Sequence, residues 1–219
     1  MSSDFSVQRQ NDSFIAAWEK RTLIAIAKRL PSWVTPNFMT AFGVVGAVIV
    51  LAGYCLGNIS LWFLWLANLG IVIHWLGDSL DGTVARVRGI ERPKFGFFLD
   101  QIIDLVSNLL IAVGIGLSPW VRLDVALLML SAYHMLSVYV LVSSLIKGEF
   151  RIDIAGFGPT EMRLGIIALN VTVMIFGAPQ LSYAGIDYTW CDISLLVAFS
   201  ALIGLFFYQF ITEARKIVE

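Results

Sequence analysis

Four aspartates lie where two long apolar segments of the sequence meet, and they form two pairs. Asp78 and Asp81 are three residues apart and Asp100 and Asp104 are four apart, so in helices the members of each pair share a face. A carboxylate inside a membrane costs about 3 kcal/mol, so intramembrane acids are functional candidates. Four carboxylates at one point need a cation among them, and hard divalent ions prefer oxygen ligands. The pattern therefore predicts a divalent-metal site.

Small residues and one arginine accompany the two pairs. Gly82 and Ala85 follow the first pair, Arg86 comes one turn after Gly82, and Gly96 comes one turn before the second pair. Small side chains leave room for a ligand beside the helix, and a guanidinium fits two phosphate oxygens. Each residue alone is also typical of a helix cap, a packing position or a positive cytoplasmic flank. Together they predict a diphosphate-binding site.

The composition is that of an integral membrane protein. Of 219 residues 58% are hydrophobic and 14% charged, with mean hydropathy +0.80, whereas soluble domains carry roughly 25% charged residues. A net charge of −1 predicts no nucleic-acid partner, and the polar first residues predict no cleavable signal. Cys55 and Cys191 lack the spacing of a zinc site. A disulfide between them is conceivable, although a packing role is favoured.

The chain is expected to be all-α, because segments of about 20 apolar residues span a bilayer as helices. We expect a cytoplasmic N-terminal segment, residues 1–35, and one transmembrane catalytic domain, residues 36–219. The six predicted spans are 37–57, 60–86, 95–117, 121–147, 160–179 and 190–212.

Basic residues predict the orientation of these spans. Of the 15 Lys and Arg residues, Arg122 alone falls on the side opposite the others, which is a strong positive-inside signal. Both termini and the aspartates are therefore predicted to be cytoplasmic, in a multi-pass protein of the cell (inner) membrane.

The segment before the first span has the pattern of an interfacial amphipathic helix. Its apolar residues alternate with basic ones at roughly helical spacing. They are Phe14, Trp18, Leu23, Ile26 and Leu30, against Lys20, Arg21, Lys28 and Arg29. We expect a membrane anchor without a part in the chemistry.

The string D-x-x-D-G-x-x-A-R, followed after nine residues by G-x-x-x-D-x-x-x-D, resembles the signature of the CDP-alcohol phosphatidyltransferase family. The Pro36-Asn37-x-x-Thr40 start of the first span extends the likeness. Members of the family are six-helix membrane enzymes, typically homodimers. They use two divalent cations to move a substituted phosphate from a CDP-linked donor to an alcohol, releasing CMP.

The resemblance implies a role for each matching residue. Asp78 and Asp100 would bridge two ions, Mg²⁺ or Mn²⁺, with Asp81 completing one shell and Asp104 the other. Asp104 would also be the general base. The residues expected around the cytidine diphosphate are Asn37, Thr40, Gly82, Ala85, Arg86 and Gly96.

The sequence indicates the acceptor alcohol less clearly than it indicates the metal site. Arg151 and Arg163 could read a phosphorylated acceptor such as glycerol phosphate or inositol phosphate. The stretch Gly158-Pro159-Thr160-Glu161 is weakly similar to choline and ethanolamine phosphotransferases, and an ordinary loop capped by Thr160 is a further alternative. The compact chain favours a CDP-diacylglycerol-type lipid donor and a small polar alcohol acceptor. The alternative is a CDP-aminoalcohol donor with diacylglycerol as acceptor.

Other residues in the spans are weaker candidates for a functional role. His134, Tyr133 and Tyr139 could line an acceptor cavity, and His74 lies one turn before Asp78; packing is favoured for both histidines. Gly53-x-x-x-Gly57 is a weak helix-packing motif.

A cation-coupled transporter is the alternative from another class. It is disfavoured because the acids lie near one face and the two halves of the chain do not match.

Overall fold

The computed structural model describes residues 8–10, 16–147, 149–151, 159–183 and 185–218. In this part of the chain the helices are α1 (Ala16–Arg29), α2 (Pro36–Leu56), α3 (Leu64–Arg88), α4 (Pro93–Leu117), α5 (Leu123–Lys147), α6 (Pro159–Phe176) and α7 (Trp190–Val218). A short 3₁₀ turn, Leu61–Phe63, leads into α3.

Among the residues that the structure describes, 6 helices, α2 to α7, are long and apolar enough to cross a membrane. The predicted all-α membrane fold is therefore confirmed, and most span ends agree within about two residues, the usual uncertainty of helix boundaries. The exceptions are α3, which begins at Leu64 instead of 60, α6, which ends at Phe176 instead of 179, and α7, which continues to Val218 instead of 212. Phe14, expected in the amphipathic helix, lies outside the described residues.

Local signals explain where the site helices begin and end. Thr35 caps α2 by accepting a hydrogen bond from the Phe38 amide at 3.2 Å, and Pro36 suits the first helical position. Gly89 ends α3 with a left-handed φ of 64°, which glycine adopts without strain. Helix α4 starts four residues later, at Pro93, and both α3 and α4 pack against α2.

Helices α2 and α3 touch backbone to backbone along a glycine seam. A Cβ added to Gly77 would lie 2.3 Å from the Gly43 nitrogen, and one added to Gly46 would lie 2.4 Å from the His74 nitrogen. Small residues are what permit such close approach. Gly53 packs in the same way, since its Cβ would lie 2.5 Å from the Ala67 nitrogen. Gly53 of the Gly53-x-x-x-Gly57 motif therefore packs against another helix of the same chain.

Helix α1 is joined to the transmembrane helices. Leu23 and Ala27 are buried in one apolar cluster with Leu80 and Val84 of α3. Its basic residues are exposed, as expected for a helix at a membrane surface. The apolar stripe thus packs largely against protein.

Two short ladders accompany the helices and were not predicted. β1 (Gln8–Gln10) pairs in parallel with β2 (Glu149–Arg151). β3 (Gln180–Tyr183) pairs antiparallel with β4 (Ile186–Thr189). The first ladder places Gln8–Gln10 beside the connection between α5 and α6.

A buried polar chain attaches the middle of α6 to α2 and α3. The Tyr54 hydroxyl donates to Asn170 Oδ1 at 2.8 Å, and Asn170 Nδ2 donates to Asn68 Oδ1 at 2.7 Å. Interhelical hydrogen bonds of this kind stabilise helix association in lipid. Cys55 and Cys191 are both free thiols, so the conceivable disulfide between them is not present.

Candidate active site

All four aspartates line one narrow cavity formed by residues of α2, α3 and α4. The cavity has a volume of about 10 Å³ and is bounded by Asp78, Asp81, Asp100 and Asp104, and a space of this size accommodates roughly one water molecule. One carboxylate oxygen each from Asp78, Asp100 and Asp104 lies within 4.8 Å of the other two. An all-oxygen donor set at this spacing fits a hard divalent cation.

Asp81 is turned partly away from the other three. Its Oδ2 accepts a 2.8 Å hydrogen bond from Thr40 on α2, and its Oδ1 accepts one from the Gly82 amide. The glycine seam brings α2 close enough for the contact with Thr40. Asp81 therefore stands at the edge of the group of carboxylates, facing a second and larger cavity.

That second cavity has a volume of about 400 Å³ and shares Thr40, Asp81 and Asp100 with the first. Every residue predicted from the sequence to bind substrate lines it. They are Asn37, Thr40, Gly82, Ala85, Arg86 and Gly96. The two cavities together have the form of a ligand pocket that ends at the carboxylates.

The two glycines keep this pocket open in different ways. A Cβ on Gly96 would meet nothing within 4 Å, so a side chain there would extend into free space. A Cβ on Gly82 would lie 3.2 Å from Nη1 of Arg86. Arg86 itself lies along α3, where its Nη2 donates to the Thr83 hydroxyl at 3.0 Å.

The outer wall of the pocket includes a residue that sequence reasoning treated only as a positive flank. Arg92 donates a 2.8 Å hydrogen bond to Oδ1 of Asn37, and its guanidinium lies 4.7 Å from the centre of the Phe95 ring. This cation–π contact fixes Arg92 at the mouth of the cavity. The contact with Asn37 and its place in the lining of the larger cavity, neither visible in the sequence, show that Arg92 belongs to the site.

Arg88 was also missed, and its role is structural. Its two terminal nitrogens donate to the carbonyl oxygens of Leu30, Pro31, Ser32 and Val34, at distances from 2.6 to 3.3 Å. A planar guanidinium can serve several acceptors at once. Arg88 thereby holds the link between α1 and α2 just before the residues that line the larger cavity.

Arg163 on α6 reaches the carboxylates. Its Nη2 donates to Asp78 Oδ2 at 2.6 Å and lies 3.4 Å from His74 Nε2. His74 is buried, and its Nδ1 lies 3.2 Å from the Gly43 carbonyl. Because that carbonyl can only accept, Nδ1 carries the proton and Nε2 is free to accept from Arg163. His74 therefore orients the arginine, which goes beyond the packing role favoured from the sequence.

The other acceptor candidates divide into two groups. Tyr133 on α5 is close enough to Asp104, Asp78 and Arg163 to interact with them electrostatically. Tyr139 instead donates to the Gln209 carbonyl of α7 at 3.3 Å. The side chain of Arg151 and the residue Gly158 lie outside the described part of the chain.

Comparison with known proteins agrees with this geometry. Residues 33–208 match the CDP-alcohol phosphatidyltransferase family model. The chain is 31% identical over 202 residues to archaetidylinositol phosphate synthase of Pyrococcus horikoshii, covering 91% of this chain and 94% of that protein. It is 35% identical over 107 residues to phosphatidylinositol phosphate synthase of Cutibacterium acnes, covering 48% and 49%. Cholinephosphotransferase 1 of Danio rerio is 33% identical over 95 residues, 41% of this chain and 25% of that protein.

The chain thus belongs to the CDP-alcohol phosphatidyltransferase family. It is a multi-pass membrane transferase of phospholipid biosynthesis that carries out CDP-alcohol phosphatidyl transfer to an alcohol acceptor. The family uses divalent cations, and three of the aspartates are placed where they can hold one. The predicted enzyme class is confirmed, and the transporter alternative falls away.

Proposed function

We propose that the protein transfers a phosphatidyl-type group from a CDP-linked lipid to a small polar alcohol that itself carries a phosphate. One observation carries this proposal. The four aspartates line a narrow cavity that adjoins a cavity of about 400 Å³ lined by all six predicted substrate residues. The reacting phosphate would lie where the two cavities meet, with the nucleotide in the larger one.

The chain's own residues would hold the nucleotide in stated ways. Arg86 would bind the diphosphate oxygens through its guanidinium fork, and Gly82, Ala85 and Gly96 would leave room for it. Asn37 and Thr40 would contact the cytidine from the start of α2. Arg92, bound to Asn37, would limit how far the nucleotide extends toward the solvent.

The carboxylates would hold two divalent cations, Mg²⁺ or Mn²⁺, in an all-oxygen donor set. Asp78 and Asp100 would contact both ions, Asp81 one and Asp104 the other. Bound there, such ions neutralise the charge on a transferring phosphate. The spacing of at most 4.8 Å among three of the carboxylates supports this assignment.

Asp104 would act as the general base. The acceptor hydroxyl loses its proton to the Asp104 carboxylate while its oxygen forms a bond to the lipid-bearing phosphorus. The bond from that phosphorus to the oxygen shared with CMP breaks, and CMP leaves. Asp104 suits this role because it lines the narrow cavity and lies one turn deeper along α4 than Asp100.

A phosphorylated acceptor is favoured by Arg163, whose side chain is 14% exposed and lies against Asp78. A guanidinium is suited to a phosphate group. Two relatives also carry names of inositol phosphate lipid synthases, so an inositol phosphate is the acceptor we propose. The donor would be CDP-diacylglycerol or its archaeal dialkyl counterpart.

The second candidate is a CDP-aminoalcohol phosphotransferase with diacylglycerol as acceptor. The similarity to a cholinephosphotransferase over 41% of the chain favours it. In that case Glu161, at the start of α6, would face an ammonium headgroup.

We further propose that the active site faces the cytoplasm of a cell with both termini on that side, and that the protein works as a homodimer. The distribution of Lys and Arg supports the orientation, and the pairing of β1 with β2 is consistent with it. The homodimer rests on the family resemblance, and light scattering of the detergent-solubilised protein tests it.

The test measures CMP release by the purified full-length protein in lipid nanodiscs. CDP-diacylglycerol and its dialkyl analogue are offered separately with Mg²⁺ or Mn²⁺. The acceptors are inositol phosphate, glycerol 3-phosphate, inositol, serine and choline. Asp104→Asn is the catalytic variant, and Asp124→Asn is its matched control because Asp124 pairs with Arg122 away from the site.

CMP release that requires a phosphorylated acceptor, and that is lost in Asp104→Asn but kept in Asp124→Asn, supports the proposal. CMP release only from CDP-choline or CDP-ethanolamine with diacylglycerol would establish the second candidate. Equal rates with inositol and inositol phosphate would contradict the proposed role of Arg163.

A further inference from the structure

Glu19 is a buried carboxylate on the interfacial helix α1, whose basic residues are exposed. The residue is 8% exposed, and its Oε1 accepts hydrogen bonds from Trp75 Nε1 at 2.8 Å and from the Thr160 hydroxyl at 2.9 Å. The Ser79 hydroxyl lies 3.5 Å from the same oxygen. A carboxylate removed from water needs such donors, so this acid is directed into the protein and away from the membrane surface.

The donors belong to the two helices that carry the Asp78–Arg163 pair. Trp75 and Ser79 lie on either side of Asp78 along α3. Thr160 stands in the first turn of α6, and Arg163 follows it by one turn. The contacts therefore form a closed ring. Glu19 joins α3 to the start of α6, and Arg163 of α6 donates a 2.6 Å hydrogen bond to Asp78 of α3.

Helix α6 has little apolar packing, so the contacts of this ring matter for its position. Only 11% of its apolar span is buried, as in α7, against 39% for α2 and 44% for α3. Its middle is attached through Asn170, and its cytoplasmic end is attached through Thr160 and Arg163. With little apolar packing to locate that end, the hydrogen bond to Glu19 sets how far its first turn lies from α3.

We propose that Glu19 is a positioning residue, through which the interfacial helix holds the first turn of α6 at the distance from α3 that presents Arg163 to the acceptor. The interfacial helix is then part of the machinery for acceptor recognition as well as a membrane anchor. The inference rests on the proposed function in one respect, that Arg163 binds the phosphate of the acceptor.

The first test compares Glu19→Ala, Glu19→Gln and the control Lys20→Ala on the full-length protein in nanodiscs. Lys20 is exposed on the same helix, so its variant reports effects of the membrane surface alone. Glu19→Ala should raise the KM for inositol phosphate about tenfold, the effect of losing a hydrogen bond to a charged acceptor. The KM for the CDP-linked lipid should stay unchanged.

Glu19→Gln keeps an oxygen acceptor at the same place and should restore most of the acceptor KM, and Lys20→Ala should resemble the wild type. Thr160→Val removes a single donor and should raise the KM for the acceptor less than Glu19→Ala does. This variant tests the proposal even if Glu19→Ala folds poorly. Equal changes in the KM of donor and acceptor, or no change in either, would overturn the proposal.

A second measurement does not require turnover. Spin labels at Leu164 on α6 and Val87 on α3, both exposed, report the distance between the two helices once Cys55 and Cys191 are replaced by serine. Glu19→Ala should lengthen or broaden that distance distribution, and Glu19→Gln should not. An unchanged distribution in Glu19→Ala would overturn the positioning role.

The two measurements separate the two proposals. If the wild type releases no CMP with any phosphorylated acceptor but Glu19→Ala still shifts the distance, the proposed function fails and the positioning of α6 by Glu19 stands.

Discussion

Arg163 on α6 donates a 2.6 Å hydrogen bond to Oδ2 of Asp78 on α3, and the two side chains are only 14% and 23% exposed. A carboxylate proposed to bind metal is thus held by a cation of the protein. A guanidinium does not lose its charge in proteins. Arg163 therefore competes with a metal ion for the same oxygen of Asp78. By linkage, an anion that draws Arg163 away should favour metal binding at Asp78.

Replacing Arg163 should therefore change two affinities in opposite directions. In Arg163→Ala the dissociation constant for Mn²⁺, measured by calorimetry without substrates, should fall because a competing positive charge is gone. The KM for inositol phosphate should rise by about tenfold or more, since a charge-assisted pair to phosphate is lost. Arg122→Ala, at an exposed ion pair away from the site, is the control. Weaker Mn²⁺ binding in Arg163→Ala would contradict the competition.

Metal should also stabilise the folded protein. Repulsion among Asp78, Asp100 and Asp104 is relieved when an ion binds, and a ligand at a hundred times its Kd contributes about 2.7 kcal/mol. The melting temperature should rise with MgCl₂ in the wild type and much less in Asp100→Asn. A chelator should abolish CMP release, and added Mg²⁺ should restore it. An equal rise in both proteins would show that the stabilising ion binds elsewhere.

Asp104→Asn should lose the chemical step while the fold remains. Loss of a general base lowers kcat by a factor of about 10² to 10⁴. Single-turnover CMP release measures the effect, and the binding of CDP tested by calorimetry should persist, because Asp104 does not line the nucleotide cavity. Full activity in Asp104→Asn would assign the base to another group.

Arg88→Lys should reduce stability and weaken nucleotide binding together. An ammonium cannot serve the four carbonyl oxygens that the guanidinium contacts, and each lost hydrogen bond to a charged group costs about 1.5 to 3 kcal/mol. Loosening the link before α2 displaces Asn37 and Thr40, so the KM for the CDP-linked lipid should rise. Thermal unfolding and kinetics check both effects. Arg21→Lys, exposed on α1, should change neither.

Gly77→Ala should disrupt the site without altering any polar residue. The new Cβ would lie 2.3 Å from the Gly43 nitrogen, so α2 and α3 must separate and Thr40 moves away from Asp81. The variant should melt at a lower temperature and release CMP slowly. Gly204→Ala is the matched control, since nothing lies within 4 Å of its Cβ. There alanine should be neutral or stabilising by up to about 1 kcal/mol.

The spans, and the proximity of Asp78, Asp100 and Asp104, were predictable because both signals are local. Apolar length alone defines a membrane helix, and helical spacing places Asp78 with Asp81 and Asp100 with Asp104. The spacing of the small residues was equally informative, as Gly82 and Gly96 do line the larger cavity.

The rest depends on contacts between distant segments. An apolar stripe on α1 looks the same whether Leu23 faces lipid or Leu80, so the docking of this helix was not predictable. Arg88 looks like any basic residue flanking a membrane span until its carbonyl partners are known. The seam between α2 and α3 was not predictable because Gly43 and Gly77 are far apart in sequence, whereas the packing motif within one helix begins at Gly53.

The contrast between the glycine seam and the polar attachment of α6 has an evolutionary consequence. Helices α2 and α3, which help to line the larger cavity, are in contact backbone to backbone, so substitutions along their contact are poorly tolerated. Helix α6 is attached by a few side chains, and most of its surface is not buried against the protein. New headgroup specificities can therefore arise by substitutions in a single helix, and one catalytic scaffold can supply chemically diverse phospholipids.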